Sequence, residues 1–269
     1  MSTSAGFDAW SAGQNYEHYM GRWSRQIAAK FIEWLAPPTN ADWLEIGCGT
    51  GALTAAILAR CSPRSIVAVD PSKDFIAYVR SAIEDKRAHF EVGDAQNLPA
   101  KDGTIDIVTS GLVLNFIPDT AAALAEMQRV LKPDGLLCFY VWDYPGGGIG
   151  FIDAFWKAAA EVDPRAAALD EGRRFPFCTQ DRLAAICREA DLRSLTIEPI
   201  EIETPFPDFE SFWQPFTLGT GPAPGYCVSL AEYDRAALKA RLGETLGTGG
   251  PIRLSARAWA VRALRSARN

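Results

Sequence analysis

The stretch Asp42-Trp-Leu-Glu-Ile-Gly-Cys-Gly-Thr-Gly51 decides the class of this chain. Asp42 to Ile46 is short, apolar and free of breakers, as a strand covered on both faces requires. Three glycines then fall within five residues, and Thr50 to Arg60 follows as an amphipathic helical pattern. A strand that turns into a helix through glycines lets backbone approach a ligand closely, while the helix N-terminus offers unpaired N–H groups to a negative group. The stretch therefore points to a nucleotide-type cofactor.

Working outward, β-rich apolar runs keep alternating with helical patterns, the signature of an α/β protein with a parallel sheet. Ser65 to Val69 is the second strand and ends at Asp70-Pro71. Ser72 caps the next helix, whose inner face carries Phe75, Ile76 and Val79. Ala88 to Val92, Thr104 to Thr109 and Gly135 to Val141 are the third, fourth and fifth strands. The helix before the fifth starts at Pro118-Asp119, spaces Leu124, Met127, Val130 and Leu131 helically, and stops at Lys132-Pro-Asp-Gly135.

The second half is less regular. Thr179 to Ala190 reads as a helix, Leu195 to Ile202 as the sixth strand and Arg253 to Ala263 as the last. Glu203 to Pro251, rich in Phe, Pro and Gly, is too long for an ordinary connection. It is expected to be an insertion in which Phe206, Phe209, Phe212, Trp213 and Phe216 form a small core, some of them also lining an acceptor pocket. The first forty residues, with Trp10, Tyr16, Tyr19, Trp23 and Trp34 before Pro37-Pro38, form a helical prefix. The expected organisation is a helical cover over residues 1–38, then one domain over 39–269 carrying an inserted cap at about 203–250.

Composition excludes several classes. With 269 residues, 48% of them apolar, the chain can build a sizeable core. A net charge of -6 argues against nucleic acid, whose binders need clustered Lys and Arg to release counterions. The longest apolar run, Leu136 to Trp142, falls far short of the ~20 residues that span a bilayer, and the N-terminus has no signal-peptide pattern. A cytoplasmic setting is expected. The six cysteines contain no C-x-x-C pair and read as reduced, buried small hydrophobes.

Asp70 stands nineteen residues after Gly51, where a carboxylate at the end of the second strand accepts both hydrogen bonds of a ribose diol. The spacing Gly47-x-Gly49-x-x-Ala52 also satisfies the dinucleotide fingerprint, so these residues alone do not choose the cofactor. Further residues lie after the later strands: Gly93-Asp94-Ala95 after the third, and the run Ser110 to Phe116 after the fourth.

Taken together, the chain resembles the class I S-adenosylmethionine-dependent methyltransferases, in particular the type 11 branch that includes quinone-biosynthesis enzymes. The resemblance covers about Ala41 to Trp142. It rests on five segments in order: Leu44-Glu-Ile-Gly-Cys-Gly-Thr-Gly51, Val69-Asp-Pro-Ser72, Gly93-Asp-Ala-Gln-Asn-Leu-Pro99, Thr104-Ile-Asp-Ile-Val108 and Arg129-Val-Leu-Lys-Pro-Asp-Gly135. It implies a Rossmann-like sheet of seven mostly parallel strands in the order 3-2-1-4-5-7-6, with strand seven antiparallel. It also implies S-adenosylmethionine as cofactor and S-adenosylhomocysteine as product. Gly47, Gly49 and Gly51 would pass against the methionine part and ribose, Asp70 would bind the ribose hydroxyls, and Asp94 with Ala95 would hold the adenine. Glu45 would order the glycine loop, and Cys48, Pro71, Ser72, Gly93 and Ser110 complete the cofactor contacts. In the prefix, Tyr16 to Ser24 is similar to a cofactor-covering segment of this branch, with Tyr19 and Arg22 near the methionine carboxylate.

Because the sulfonium is cationic, Tyr16, Tyr19 and Trp23 are candidates to lie over it. Candidate catalytic residues are His18, as a general base, and Asn115 and Asp143, which follow the fourth and fifth strands at the edge of the sheet that would meet an acceptor. Asp106 reads as a structural carboxylate and His89 as a core histidine. Three patterns are missing from the sequence: Asn/Asp-Pro-Pro-aromatic after the fourth strand, a Pro-Cys nucleophile, and a carboxylate cluster for Mg²⁺. The reading is a metal-independent methyl transfer to a small, partly apolar molecule, with acceptor identity and oligomeric state left open. The alternatives are an NAD(P)-dependent oxidoreductase and a non-catalytic S-adenosylmethionine-binding protein.

Overall fold

The computed structural model describes residues 14–266; Trp10 of the prefix lies outside them. A single π-helical turn, Glu17–Gly21, leads into α1 (Arg22–Leu35). Alternation then follows the sequence pattern: β1 (Asp42–Ile46), α2 (Ala52–Arg60), β2 (Ser65–Asp70), α3 (Lys73–Ala82), β3 (Ala88–Val92), β4 (Ile105–Gly111), α4 (Thr120–Val130) and β5 (Leu131–Trp142). The chain continues through α5 (Gly150–Val162), α6 (Gln180–Glu189), β6 (Arg193–Phe206), α7 (Phe209–Trp213), α8 (Pro222–Ser229), α9 (Glu232–Leu246) and β7 (Ile252–Leu264).

The seven strands form one sheet in the order β3-β2-β1-β4-β5-β7-β6, mostly parallel with one antiparallel strand. Pairings β1–β2, β1–β4, β2–β3 and β4–β5 are all parallel. For β7 the backbone bonds give the direction: the Arg265 N–H donates to Gly135 O near the start of β5, and the Asp143 N–H at its end donates to Arg257 O. Late residues of one strand thus face early residues of the other, which is the antiparallel arrangement. The strand order reverses between β1 and β4, the position at which open α/β sheets bind ligands beyond the carboxyl ends of their strands.

The chain divides into two compact units. One comprises Ser24–Val141, Phe177–Ile200 and the residues from Ala258 onward. Here Trp43, Leu44, Ile66, Val108 and Leu137 are buried between the helices, as a two-sided sheet demands. Phe31 of α1 sits with its ring 4.6 Å from that of Tyr140 on β5, and the Trp34 indole N–H donates to Glu198. Caps set the helix starts: Ser72 Oγ accepts from the Phe75 N–H and Asp119 Oδ1 from the Ala122 N–H.

The other unit comprises the described residues up to Trp23, Trp142–Pro176 and Glu201–Arg257. Its core is aromatic. Tyr19 lies edge-on to Phe151 and Phe216, Trp23 edge-on to Phe206, and Phe155 stacks on Phe216 at 4.5 Å. All five insertion aromatics singled out from the sequence, Phe206, Phe209, Phe212, Trp213 and Phe216, are buried.

Three details depart from the sequence reading. Helix α5 went unread, although its buried Phe151, Ile152, Phe155, Trp156, Ala158 and Ala159 fall at helical spacing on one face. The segment Lys132-Pro-Asp-Gly135 does not separate a helix from a strand but lies within β5, where the register against β4 shifts between Ile105 and Ile107 and Asp134 adopts φ 58°. His89 is exposed rather than part of a core, since β3 is an edge strand and buries only Phe90.

Asp143 shows what its buried carboxylate does within its unit. It accepts from Arg257 Nε at 2.8 Å and from Arg257 Nη2, and from the Gly146 N–H at 3.1 Å, fixing the turn after β5 to the start of β7. Asp143→Ala is predicted to leave the half-buried Arg257 guanidinium with only the longer 3.8 Å ion pair to Glu201, at a cost of about 2–4 kcal/mol. Urea unfolding of the two proteins measures it, and a change under ~0.5 kcal/mol would contradict this role.

Candidate functional site

The loop that leaves β1 is a set of tight backbone constraints. Gly47, Gly49 and Gly51 adopt φ of 71°, 51° and 86°, the left-handed region that glycine enters without penalty. The Gly47 and Cys48 N–H groups both donate to Val69 O, at 2.7 and 3.0 Å, and the Gly51 N–H donates to Cys48 O. A methyl group on Gly47 would sit 2.4 Å from a Val113 methyl, and one on Gly51 would strike Val79 and Ile83. On Gly49 it would meet nothing within 4 Å, so the loop is open there. Glycine is needed at 47 and 51 for packing, whereas at 49 it leaves backbone accessible to a ligand.

Asp70 holds that loop from β2. Its Oδ2 accepts from the Gly49 N–H at 3.0 Å and its Oδ1 from the Ser72 N–H at 2.9 Å. A carboxylate offers about four acceptor positions, so one remains on each oxygen for a pair of hydroxyls. Burial pushes the Asp70 carboxyl above the usual range, against the two backbone bonds that pull it down. Beneath it, buried Glu45 accepts from Thr54 Oγ1 at 2.5 Å, which ties the end of β1 to the first turn of α2. Burial, partly offset by that hydroxyl, raises the Glu45 carboxyl to about 8, and the charge on Asp70 pushes it the same way. The buried Cys48 thiol is likewise pushed up, chiefly by desolvation.

After β3, the Gln96 N–H donates to Asp94 Oδ1, and Asp94 is otherwise exposed beside buried Ala95. The Gly93 N–H donates to Asp70 O, which joins this turn to the end of β2. Arg129, quoted within a motif but given no role by the sequence, is its clamp. It donates to Leu98 O, Ala100 O, Asp102 and Glu126, and Glu126 in turn accepts from the Leu98 N–H. The signal in the sequence was only a charged residue near the end of an amphipathic helix, which is indistinguishable from a solvated one.

Ser110 lies level with Ile46 in the β1–β4 register, at the reversal of strand order. Leu112 then adopts φ 63°, a conformation costly for a side-chain-bearing residue, and turns the chain so that Val113 meets Gly47. Asn115 follows in a 3₁₀ turn, Leu114–Phe116. By contrast, Asp106 lies near the far end of β4, where it accepts from the Asp42 N–H and from Lys132 Nζ and is a structural group.

Glu45, Gly47 to Gly51, Asp70 to Ser72, Gly93 to Ala95, Ser110 and Asn115 thus belong to one unit and are linked by the bonds and packing just given. Tyr19, Arg22, His18 and Asp143 belong to the other. There Tyr19 is buried, the Arg22 guanidinium stacks 4.3 Å from the Trp23 ring and 4.9 Å from Phe206, and His18 is exposed. The sequence missed Glu171 of this unit, a buried carboxyl that accepts from the Trp156 indole N–H and that burial raises to about 7. Nothing in the polar run Asp170-Glu-Gly-Arg-Arg174 announced it.

No group of three or more His, Cys, Asp or Glu among the described residues is arranged to hold a metal ion, and none of the described helices is long and apolar enough to cross a membrane. All six cysteines are free and buried.

Comparison with known proteins adds the following. Residues 44–139 match the family described as a methyltransferase domain. The chain is 33% identical over 179 residues to the ubiquinone/menaquinone biosynthesis C-methyltransferase UbiE of Desulfotalea psychrophila, covering 63% of this chain and 71% of that protein. It is 29% identical over 211 residues to the malonyl-[acyl-carrier protein] O-methyltransferase of Geobacter sulfurreducens, covering 78% of this chain and 74% of that one. Among solved structures, phosphoethanolamine N-methyltransferase 2 of Haemonchus contortus, in complex with S-adenosyl-L-methionine, superposes with a TM-score of 0.59 at 13% identity, over 94% of this chain and 58% of that chain.

Glu45 makes a prediction about pH. Between the usual glutamate value near 4.3 and the folded value of about 8, the native state holds a proton that the unfolded state has released, so stability falls as pH rises through that window. Glu45→Gln keeps a neutral acceptor for Thr54 and removes this titration. The variant is expected to gain on the parent protein between pH 5 and pH 8 in urea unfolding; parallel pH profiles would show that Glu45 ionises normally.

Proposed function

Because this chain belongs to the type 11 branch of the class I S-adenosylmethionine-dependent methyltransferases, we propose that it transfers a methyl group from that cofactor to a small, partly apolar acceptor without the help of a metal ion. The observation that carries the reading is the Gly49–Asp70 pair, an accessible glycine beside a buried carboxylate that keeps an acceptor position free on each oxygen. The residues fit the cofactor part by part. Asp94 and Ala95 after β3 suit an adenine edge, Asp70 after β2 a ribose diol, and the glycine loop after β1 the thin chain that follows.

The bound cofactor supplies a methyl group already activated by a positive sulfur. The protein's contribution is then alignment, because bringing an acceptor into line at contact distance removes most of the entropic part of the barrier. The glycine loop and Asp70 fix one partner, and the rigidity conferred by Glu45–Thr54 beneath and by Arg129 beside the Asp94 turn keeps that geometry from drifting. The named relatives include a C- and an O-methyltransferase, so their names agree on methyl transfer and differ in the receiving atom.

Titration calorimetry with S-adenosylmethionine tests the assignment, with NADH as the competing ligand. Asp70→Ala removes charge-assisted hydrogen bonds worth ~1.5–3 kcal/mol each, so affinity is expected to fall at least tenfold. Unchanged affinity in the variant, or tight NADH binding by the parent protein, would overturn the reading. Methyl transfer is expected to persist in excess EDTA, and activity lost on chelation and restored by Mg²⁺ would refute metal independence.

A further inference from the structure

Glu171 is an ionisable group that neither the sheet nor the proposed reaction uses. It is 2% exposed in the aromatic unit, at the start of the short helical turn Glu171–Arg174. The one side chain among the described residues that hydrogen-bonds to it is Trp156, itself 2% exposed, through the indole N–H. A glutamine would give the indole the same oxygen without the cost of burying an ionisable group, so a carboxyl here makes the core depend on a proton.

The surroundings fix what that proton controls. Trp156 lies edge-on to Phe155 at 5.2 Å, Phe155 stacks on Phe216 at 4.5 Å, and Phe216 lies edge-on to Tyr19 at 5.7 Å. Burial holds the Tyr19 phenol well above its usual value, and charge on Glu171 and on Tyr144 pushes it the same way. The chain of rings thus leaves Glu171 through α5 and returns to it through the prefix turn Glu17–Gly21. Around the carboxyl, Asp170 repels a negative charge and Arg174 attracts one, while desolvation outweighs both and opposes ionisation. Arg173 is exposed, and the other charges nearby pair with each other: Asp153 with Lys157 on α5, and Asp163 with Arg165 on the turn that follows. Ring faces are negative as well, so an anion gains nothing from them.

We propose that Glu171 is a proton-operated latch of the aromatic unit: with its proton it closes the core through Trp156, and on losing it loosens the prefix turn Glu17–Gly21, α5 and its own turn. The latch goes beyond methyl transfer and needs no cofactor. Its sign follows from linkage. In the opened unit the carboxyl releases its proton near the usual glutamate value of about 4.3, and in the closed core only at about 7, so opening grows as pH rises through that interval and levels off above it.

Hydrogen exchange of the ligand-free protein, read by mass spectrometry and corrected for the intrinsic pH dependence of amide exchange, tests it. Peptides covering residues 17–23, 150–162 and 171–176 are expected to exchange about tenfold faster at pH 8 than at pH 6. Glu171→Gln, uncharged at both pH values and still an acceptor for the indole, should hold that ratio below about threefold. Trp156→Phe removes a bond that favours the charged form, so its transition should move to higher pH. His18→Gln, which removes the exposed histidine of the prefix turn, should leave the response as it is in the parent protein. A parent protein without the response, a response that survives Glu171→Gln, or one that disappears with His18→Gln would overturn the proposal, as would an unmoved transition in Trp156→Phe. If Glu171→Gln did not fold, the Trp156 and His18 variants would decide. Because no ligand is added, a negative result here leaves the methyltransferase reading standing.

Discussion

The hydrogen bond from the Gly49 N–H to Asp70 Oδ2 joins the loop after β1 to the end of β2 at 3.0 Å, and the order of the ligand edge follows from it. The same carboxylate receives the Ser72 N–H and so sets the start of α3, while the Asp70 carbonyl receives the Gly93 N–H and so sets the turn after β3. One residue therefore holds three successive βα turns in register. A parallel sheet needs such a device, because its crossover helices leave each carboxyl-end loop without the short hairpin that would fix it in an antiparallel sheet. With Gly49 held and Gly47 packed on Val113, the loop has little freedom left.

That arrangement places two acids close together in a poorly solvated region. Asp70 and Glu45 respond differently. Asp70 receives two backbone N–H groups, which stabilise its charge against desolvation, whereas the more deeply buried Glu45 is bonded only by Thr54, through its hydroxyl and backbone, and is raised to about 8. Near neutral pH the deeper acid is therefore mostly protonated, and the one at the ligand edge is better able to carry the negative charge. Holding the proton on Glu45 lets β1 pack against α2 without a buried anion and leaves Asp70 without a like charge directly beneath it.

How much of this was legible in the sequence depended on how many demands a residue met at once. Gly47, Gly49 and Asp70 combine backbone constraints with positions at the carboxyl ends of recognisable strands, and their spacing made them legible as candidates. The strand order came with the family resemblance, since periodicity cannot specify pairing between β5, β7 and β6. Lys132 to Gly135 misled because proline and glycine punctuate bulged strands as well as helix ends. His89 shows the same limit, for only the topology reveals that its strand lies at the edge. Arg129 and Glu171 act through partners remote in sequence or hidden by burial, which leave no local trace. Nor does the sequence tell that residues near Tyr19 share an aromatic core with Phe151 and Phe216.

The turn after β4 concentrates what the fold would be more stable without. Leu112 is held in a left-handed conformation costing roughly 1–3 kcal/mol, and the Asn115 amide and Ser110 hydroxyl nearby, without a hydrogen-bond partner among the described residues, add desolvation costs of similar size. A sequence selected for stability alone would place glycine at 112 and apolar side chains at 110 and 115. The surrounding contacts are strong enough to hold the strain: Val113 against Gly47, the Leu112 N–H on Tyr140 O, and a β4 buried between β1 and β5. That strain sits beside the reversal of strand order, the position at which open α/β sheets bind ligands, and within the function proposed above it falls on the side of the glycine loop away from Asp94.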